Sequence, residues 1–64
     1  MKSYEYMAKQ IEDYLAANPN MKPYLLEHAA GVGGGTIYDI LARRKSYVYL
    51  DTWNKIKLFM ENNS

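Results

Sequence analysis

The chain has 64 residues, no cysteine and a formal net charge of +1, enough for one small domain whose core is marginal unless well packed or shared with a second copy. That length leaves no room for an enzyme fold with its own pocket, and the lack of cysteine removes disulfides and thiolate metal sites and suits a reducing compartment. No apolar run approaches the ~20 residues of a membrane span, and the opening MKSYEYMAKQIEDY mixes charged and apolar residues unlike a secretion signal, so a soluble, cytoplasmic protein is expected.

The spacing predicts a first helix over about 3–17. Ser3 can cap it, and Tyr4, Met7, Ile11, Tyr14 and Leu15 fall at three- and four-residue steps, with Glu5, Lys9, Glu12 and Asp13 on other faces. Asn18-Pro19-Asn20 follows as a turn, since proline fixes φ and asparagine tolerates the left-handed region. A second, short helix is expected over about 22–30, with Pro23 in its first turn, Met21 placed to staple against Leu26, and Leu25, Leu26, Ala29 and Ala30 as its apolar content. Gly31 is the residue type that most cheaply adopts the conformation closing such a helix.

A third helix is expected over about 34–43, carrying Ile37, Ile40 and Leu41. Thr36 and Asp39 have the spacing of a capping box, so its start lies anywhere between Gly34 and Ile37. Ser46-Tyr47-Val48-Tyr49 reads as an extended connection. Asp51 can cap a last helix over about 51–61 with Trp53, Ile56, Phe59 and Met60 on one face, after which the chain should fray. The expected architecture is a single all-α, four-helix domain over 1–64 with no sheet.

Charge is distributed unevenly. Residues 1–42 set Lys2, Lys9 and Lys22 against Glu5, Glu12, Asp13, Glu27 and Asp39, a net of −2. Residues 43–64 set Arg43, Arg44, Lys45, Lys55 and Lys57 against Asp51 and Glu61, a net of +3. The basic end follows directly on the glycine-led stretch GVGGGTIYDI of residues 31–40. Three readings of that stretch compete. A phosphate-cradling loop lacks the preceding strand and the lysine after the last glycine. A flexible linker conflicts with the apolar Val32 and Ile37. The third is a turn and helix start that present backbone rather than side chains.

Two short helices joined at a glycine and followed by basic residues are the ingredients of a helix-turn-helix. Leu26, Ala30, Gly31, Val32, Thr36, Ile37 and Ile40 in LLEHAAGVGGGTIYDI resemble the Cro and phage-repressor helix-turn-helix family, also called XRE-like, and LDTWNKIKLFM over residues 50–60 is similar to that family's fourth helix. The resemblance covers roughly residues 20–60 and implies a lambda-repressor-like DNA-binding domain. Three positions depart from the pattern. Glu27 stands where the family favours a small residue at the helix crossing, so either the helices cross differently or its stem leans outward. Gly33, Gly34 and Gly35 replace the usual polar residues, and Arg43 replaces a frequent closing glycine.

The resemblance places Gly33, Gly34, Gly35, Tyr38, Asp39 and Ala42 toward the DNA groove. Tyr38 can pack on a thymine methyl or reach a phosphate, Asp39 can accept from cytosine or serve only as the partner of Thr36, and the glycines permit close approach of backbone N–H groups to phosphate. Arg43, Arg44 and Lys45 would grip the backbone, with Thr36, Tyr47 and Lys22 as weaker contacts. A homodimer is expected on DNA, built from some of Tyr47, Val48, Tyr49 and Leu58, which have no place in a monomer core. No cofactor and no metal site are expected, since His28 is alone, and no Ser/His/Asp or Cys/His set suggests catalysis. The function expected is a small Cro-like transcriptional regulator of phage or mobile-element type in a bacterial cell or infected host. The alternative is a protein-interaction module on the same fold, antirepressor- or antitoxin-like.

Overall fold

The computed structural model describes residues 4–44 and 48–63. Ser3, Lys45, Ser46 and Tyr47 lie outside these residues, and with them the expected cap of the first helix, one of the basic residues, and most of the extended connection. Four helices follow in chain order: α1 (Tyr4–Ala17), α2 (Pro23–Ala30), α3 (Thr36–Leu41) and α4 (Leu50–Asn62). Among the described residues there is no strand, and the fold is all-α. No helix among them is long and apolar enough to cross a membrane.

Each helix contributes one face to a single core. Met7, Ala8, Ile11 and Tyr14 come from α1, Leu26 from α2, Ile37 and Ile40 from α3, and Trp53, Ile56 and Met60 from α4. These are three- and four-residue steps, so helical periodicity alone turns them to one side. α3 packs against both α1 and α2, and α2 against α4. The radius of gyration, 10.5 Å, is that of a tightly folded chain of this length. Phe59 is only partly buried and sits at the core's edge, its ring 6.5 Å from that of Tyr14 in an edge-on arrangement. The Tyr6 ring covers Trp53 in the same manner at 6.4 Å.

The connection between α1 and α2 is the expected turn: the Met21 N–H donates to the Asn18 carbonyl at 2.8 Å, with Pro19 and Asn20 at the corner. The Asn18 side-chain amide donates back to the Tyr14 carbonyl at 2.8 Å, which satisfies one of the orphan acceptors at the end of α1. Pro23 occupies the first turn of α2.

Leu25 is 40% exposed and Ala29 is exposed, because a helix of eight residues buries only one narrow face, here that of Leu26 and Glu27. Several expectations are corrected. α3 is six residues long rather than spanning 34–43. Gly35, at φ 87°, and Arg43, at φ 56°, have left-handed backbones that cannot be helical and so bound it on both sides. The Thr36–Asp39 capping box does not form: Thr36 is already inside the helix, its N–H donates to the Gly33 carbonyl, and the Asp39 N–H donates to the Gly35 carbonyl. Asp51 likewise lies within the first turn of α4, which starts one residue earlier behind an extended Tyr49. α4 runs one residue further than expected, to Asn62, and the Tyr14 hydroxyl donates to the Asn63 carbonyl at 3.3 Å.

Candidate nucleic-acid interface

The segment from Glu27 to Arg44 contains most of the residues singled out in the sequence, and its geometry begins with the two ways α2 and α3 end. At the end of α2, Gly31 takes φ 76°, the Gly31 N–H donates to the carbonyls of Glu27 and His28, and the Val32 N–H also donates to that of Glu27. This is the crossed pair of bonds of a Schellman motif with glycine in its left-handed position. At the end of α3 the same motif recurs. The Arg43 N–H donates to Ile40 and the Arg44 N–H to Asp39, but the left-handed residue is an arginine.

Arg43 therefore occupies the closing position usual for glycine without being one, and its side chain accounts for the tolerance. Its Nε lies 2.8 Å from Glu5 Oε1 and its Nη1 lies 3.1 Å from Glu12 Oε2, both on α1, while Nη1 also donates to the Leu41 carbonyl at 2.6 Å. The hydrogen bond from Arg43, reinforced by its charge, holds the Glu5 carboxyl below its ordinary range, and the bonds to Glu5 and then Glu12 raise Arg43 further. Arg43 is one of the residues expected to grip phosphate, and its side chain is 35% exposed. Its guanidinium turns back onto α1, where two carboxylates already match its charge.

Of the two alternatives for Glu27, the outward-leaning stem is excluded. It is buried, at 6% exposure, and its stem leans inward: Oε2 accepts the N–H of Ile37 at 2.8 Å. The signal for this was present in the sequence as a carboxylate on the Leu26–Ala30 face, just ahead of a helix whose start offers glycines in place of capping side chains. The acid pair Glu5 and Glu12 had no comparable signal, because nothing in local spacing brings positions 5, 12 and 43 together.

The glycines divide into two kinds. Gly31 and Gly35 have φ of 76° and 87°, so the backbone requires them. Gly33 and Gly34 have no such angle. A Cβ on Gly34 would meet nothing within 4 Å, and one on Gly33 would touch only Thr36 Oγ1 at an ordinary 3.6 Å. Both are exposed.

On α3, Ile37 and Ile40 point into the core, which leaves Tyr38, 45% exposed, and the partly exposed Asp39 facing away from it. Asp39 Oδ1 lies 3.5 Å from Arg44 Nη1, whose side chain is 70% exposed. Ala42 is exposed just beyond the helix, and Lys22 is exposed at the start of α2. Thr36 is half-buried. Lys45 and Tyr47 lie outside the described residues. His28 is exposed, and no cluster of metal-binding side chains occurs among the described residues. Of the residues expected to lack a place in the core, Val48 packs against it, whereas Tyr49 and Leu58 are 68% and 59% exposed.

The fold and this segment define an all-α four-helix protein with an exposed polar face on a short helix held behind a glycine turn. No protein-family model, curated protein or solved structure matches the chain significantly.

Proposed function

We propose that the chain is a sequence-specific DNA-binding transcriptional regulator, a small Cro-like repressor of phage or mobile-element type, with α2 and α3 as its helix-turn-helix. The observation that carries this reading is the pairing of a buried face on α3, Ile37 and Ile40, with an outward face of Tyr38, Asp39 and Arg44, presented behind the Gly31 turn. A helix anchored in this way can enter a major groove while its outward side chains meet base edges. Tyr38 and Asp39 would read bases, Arg44 and Lys22 would contact phosphate, and Gly33 and Gly34 would allow close approach. The exposed Tyr49 and Leu58 are the apolar surface available for a homodimer that would place two α3 helices on successive turns of the duplex.

One observation favours the second reading, a protein-interaction module with weak or no base readout. Arg43 is matched by Glu5 and Glu12, and Arg44 has Asp39 beside it, so two of the expected phosphate contacts carry partners within the chain. Selection of the purified protein on a randomised duplex library at physiological salt separates the two. Enrichment of an inverted repeat supports the operator-binding dimer. A salt-sensitive background without enrichment supports the protein-binding module.

A further inference from the structure

α3 starts at a disadvantage. The residue at its N-cap is Gly35, which has no side chain to accept the helix's first free N–H groups, and the three consecutive glycines before Thr36 would be expected to leave the start loose. The Thr36 N–H donates to the Gly33 carbonyl, whereas the Ile37 N–H, on a residue with no exposure, donates to a side chain instead of a backbone carbonyl. It is satisfied from α2, by Glu27 Oε2 at 2.8 Å.

Glu27 also holds the other end of the same turn. Its backbone carbonyl accepts the N–H groups of both Gly31 and Val32 at 3.1 Å. One residue therefore fixes three N–H groups, at positions 31, 32 and 37, which bracket the glycines. Glu27 is the buried charged residue of the described chain, and a carboxylate bonded to a backbone N–H in a buried setting is stronger and more directional than a neutral partner.

We infer that Glu27 is the positioning residue of α3: a cap supplied across the turn, from the preceding helix, that sets where α3 begins and which way its outward face of Tyr38, Asp39 and Arg44 is directed. Gly33 and Gly34 are then held as a defined surface although their own backbones would resist it least. The claim about the turn stands on hydrogen bonding alone, and only its consequence for base preference rests on the DNA-binding reading.

The test compares wild type, Glu27→Ala and Glu27→Gln by amide NMR at a temperature where each is folded, followed by duplex selection. Glu27→Ala is expected to speed exchange of the Ile37 amide at least about tenfold beyond any change in the slowest-exchanging core amides. It should also lower the order parameters of the Gly33–Gly35 amides from about 0.85 toward about 0.6. Glu27→Gln keeps an acceptor oxygen and should fall between the two, so it carries the comparison if the alanine variant does not fold. A role in overall stability only would accelerate exchange throughout and leave the Gly33–Gly35 order parameters as in wild type, which overturns the inference. In the selection arm, a wild type that enriches a sequence and a Glu27→Ala variant that binds with broadened preference is the expected result. Wild type enriching nothing would defeat the DNA-binding reading and leave the NMR result to decide the positioning role by itself.

Discussion

Arg43 Nε and Glu5 Oε1 are 2.8 Å apart although 38 positions separate them in the chain. The bond joins the end of α3 to the first turn of α1, and it does so from a residue whose backbone has the left-handed angle of φ 56°. Arg43→Gly relieves that backbone but loses the bonds to Glu5 and Glu12, while Arg43→Ala loses the bonds and keeps the strained angle. Thermal melts should rank Arg43→Ala below Arg43→Gly. In an Arg43→Gly background, Glu5→Gln should change the melt far less than it does in wild type, the non-additivity expected of residues in contact.

The same pair gives a pH dependence. Glu5 is lowered in the folded state by its hydrogen bond from Arg43, so the folded protein binds fewer protons there than the unfolded chain as acid is added. Its contribution is complete above the ordinary carboxylate value of 4.5 and is lost as pH falls through the lowered folded value. Melting temperature followed from pH 7 downward should therefore drop on the acid side, and Glu5→Gln should flatten that limb. Because the pair is exposed, added salt should shrink the difference between the two proteins.

Alanine scanning of the glycines should split them by sign. At Gly33 and Gly34 the backbone and the space both admit a Cβ, so alanine there should stabilise by about 0.4–1 kcal/mol through the unfolded chain. At Gly31 and Gly35 the positive φ makes alanine costly, about 1–2 kcal/mol each. Urea unfolding followed by the emission of Trp53, the single tryptophan and 1% exposed, measures both.

Core truncation has little margin in a domain of this size. Ile40→Ala removes a side chain with no exposure where α3 meets the core, at a cost of about 2–5 kcal/mol, against the ~3–5 kcal/mol that a core this small supplies. The variant should be largely unfolded at room temperature, with Trp53 emission moved to the red.

Salt dependence distinguishes the two arginines if the chain binds DNA. Arg44→Ala should reduce the log–log salt slope by roughly 0.9, the effect of one phosphate contact. Arg43→Ala should leave the slope as it was, since its guanidinium is directed to α1. Equal effects on the slope would place Arg43 at the phosphate instead.

What could be read from the sequence was what repeats locally. Met7, Ile11 and Tyr14 on α1 and Trp53, Ile56 and Met60 on α4 announce their faces by spacing, and Pro19, Pro23 and Gly31 mark turns through backbone chemistry. Ala8 was not in the expected stripe because a methyl carries little signal, and on α2 eight residues hold too few turns for periodicity to choose between Leu25 and Leu26 as the buried neighbour. The limits of α3 depended on backbone angles at Gly35 and Arg43. For Arg43 that angle goes with a pairing to α1 that no local rule contains. For the candidate site, the sequence indicated which residues were unusual, namely Glu27, the glycines and Arg43. Tertiary contact decided which way Glu27 and Arg43 turned.

The bond from Glu27 to Ile37 spans ten positions, whereas the bond from Tyr14 to Asn63 spans 49. Closing the shorter loop costs less chain entropy and is the faster event. The α2–α3 unit should accordingly be formed in the folding transition state, with α4 docking on it afterwards. Mutations around the glycine turn should then slow folding, while Tyr14→Phe should chiefly hasten unfolding.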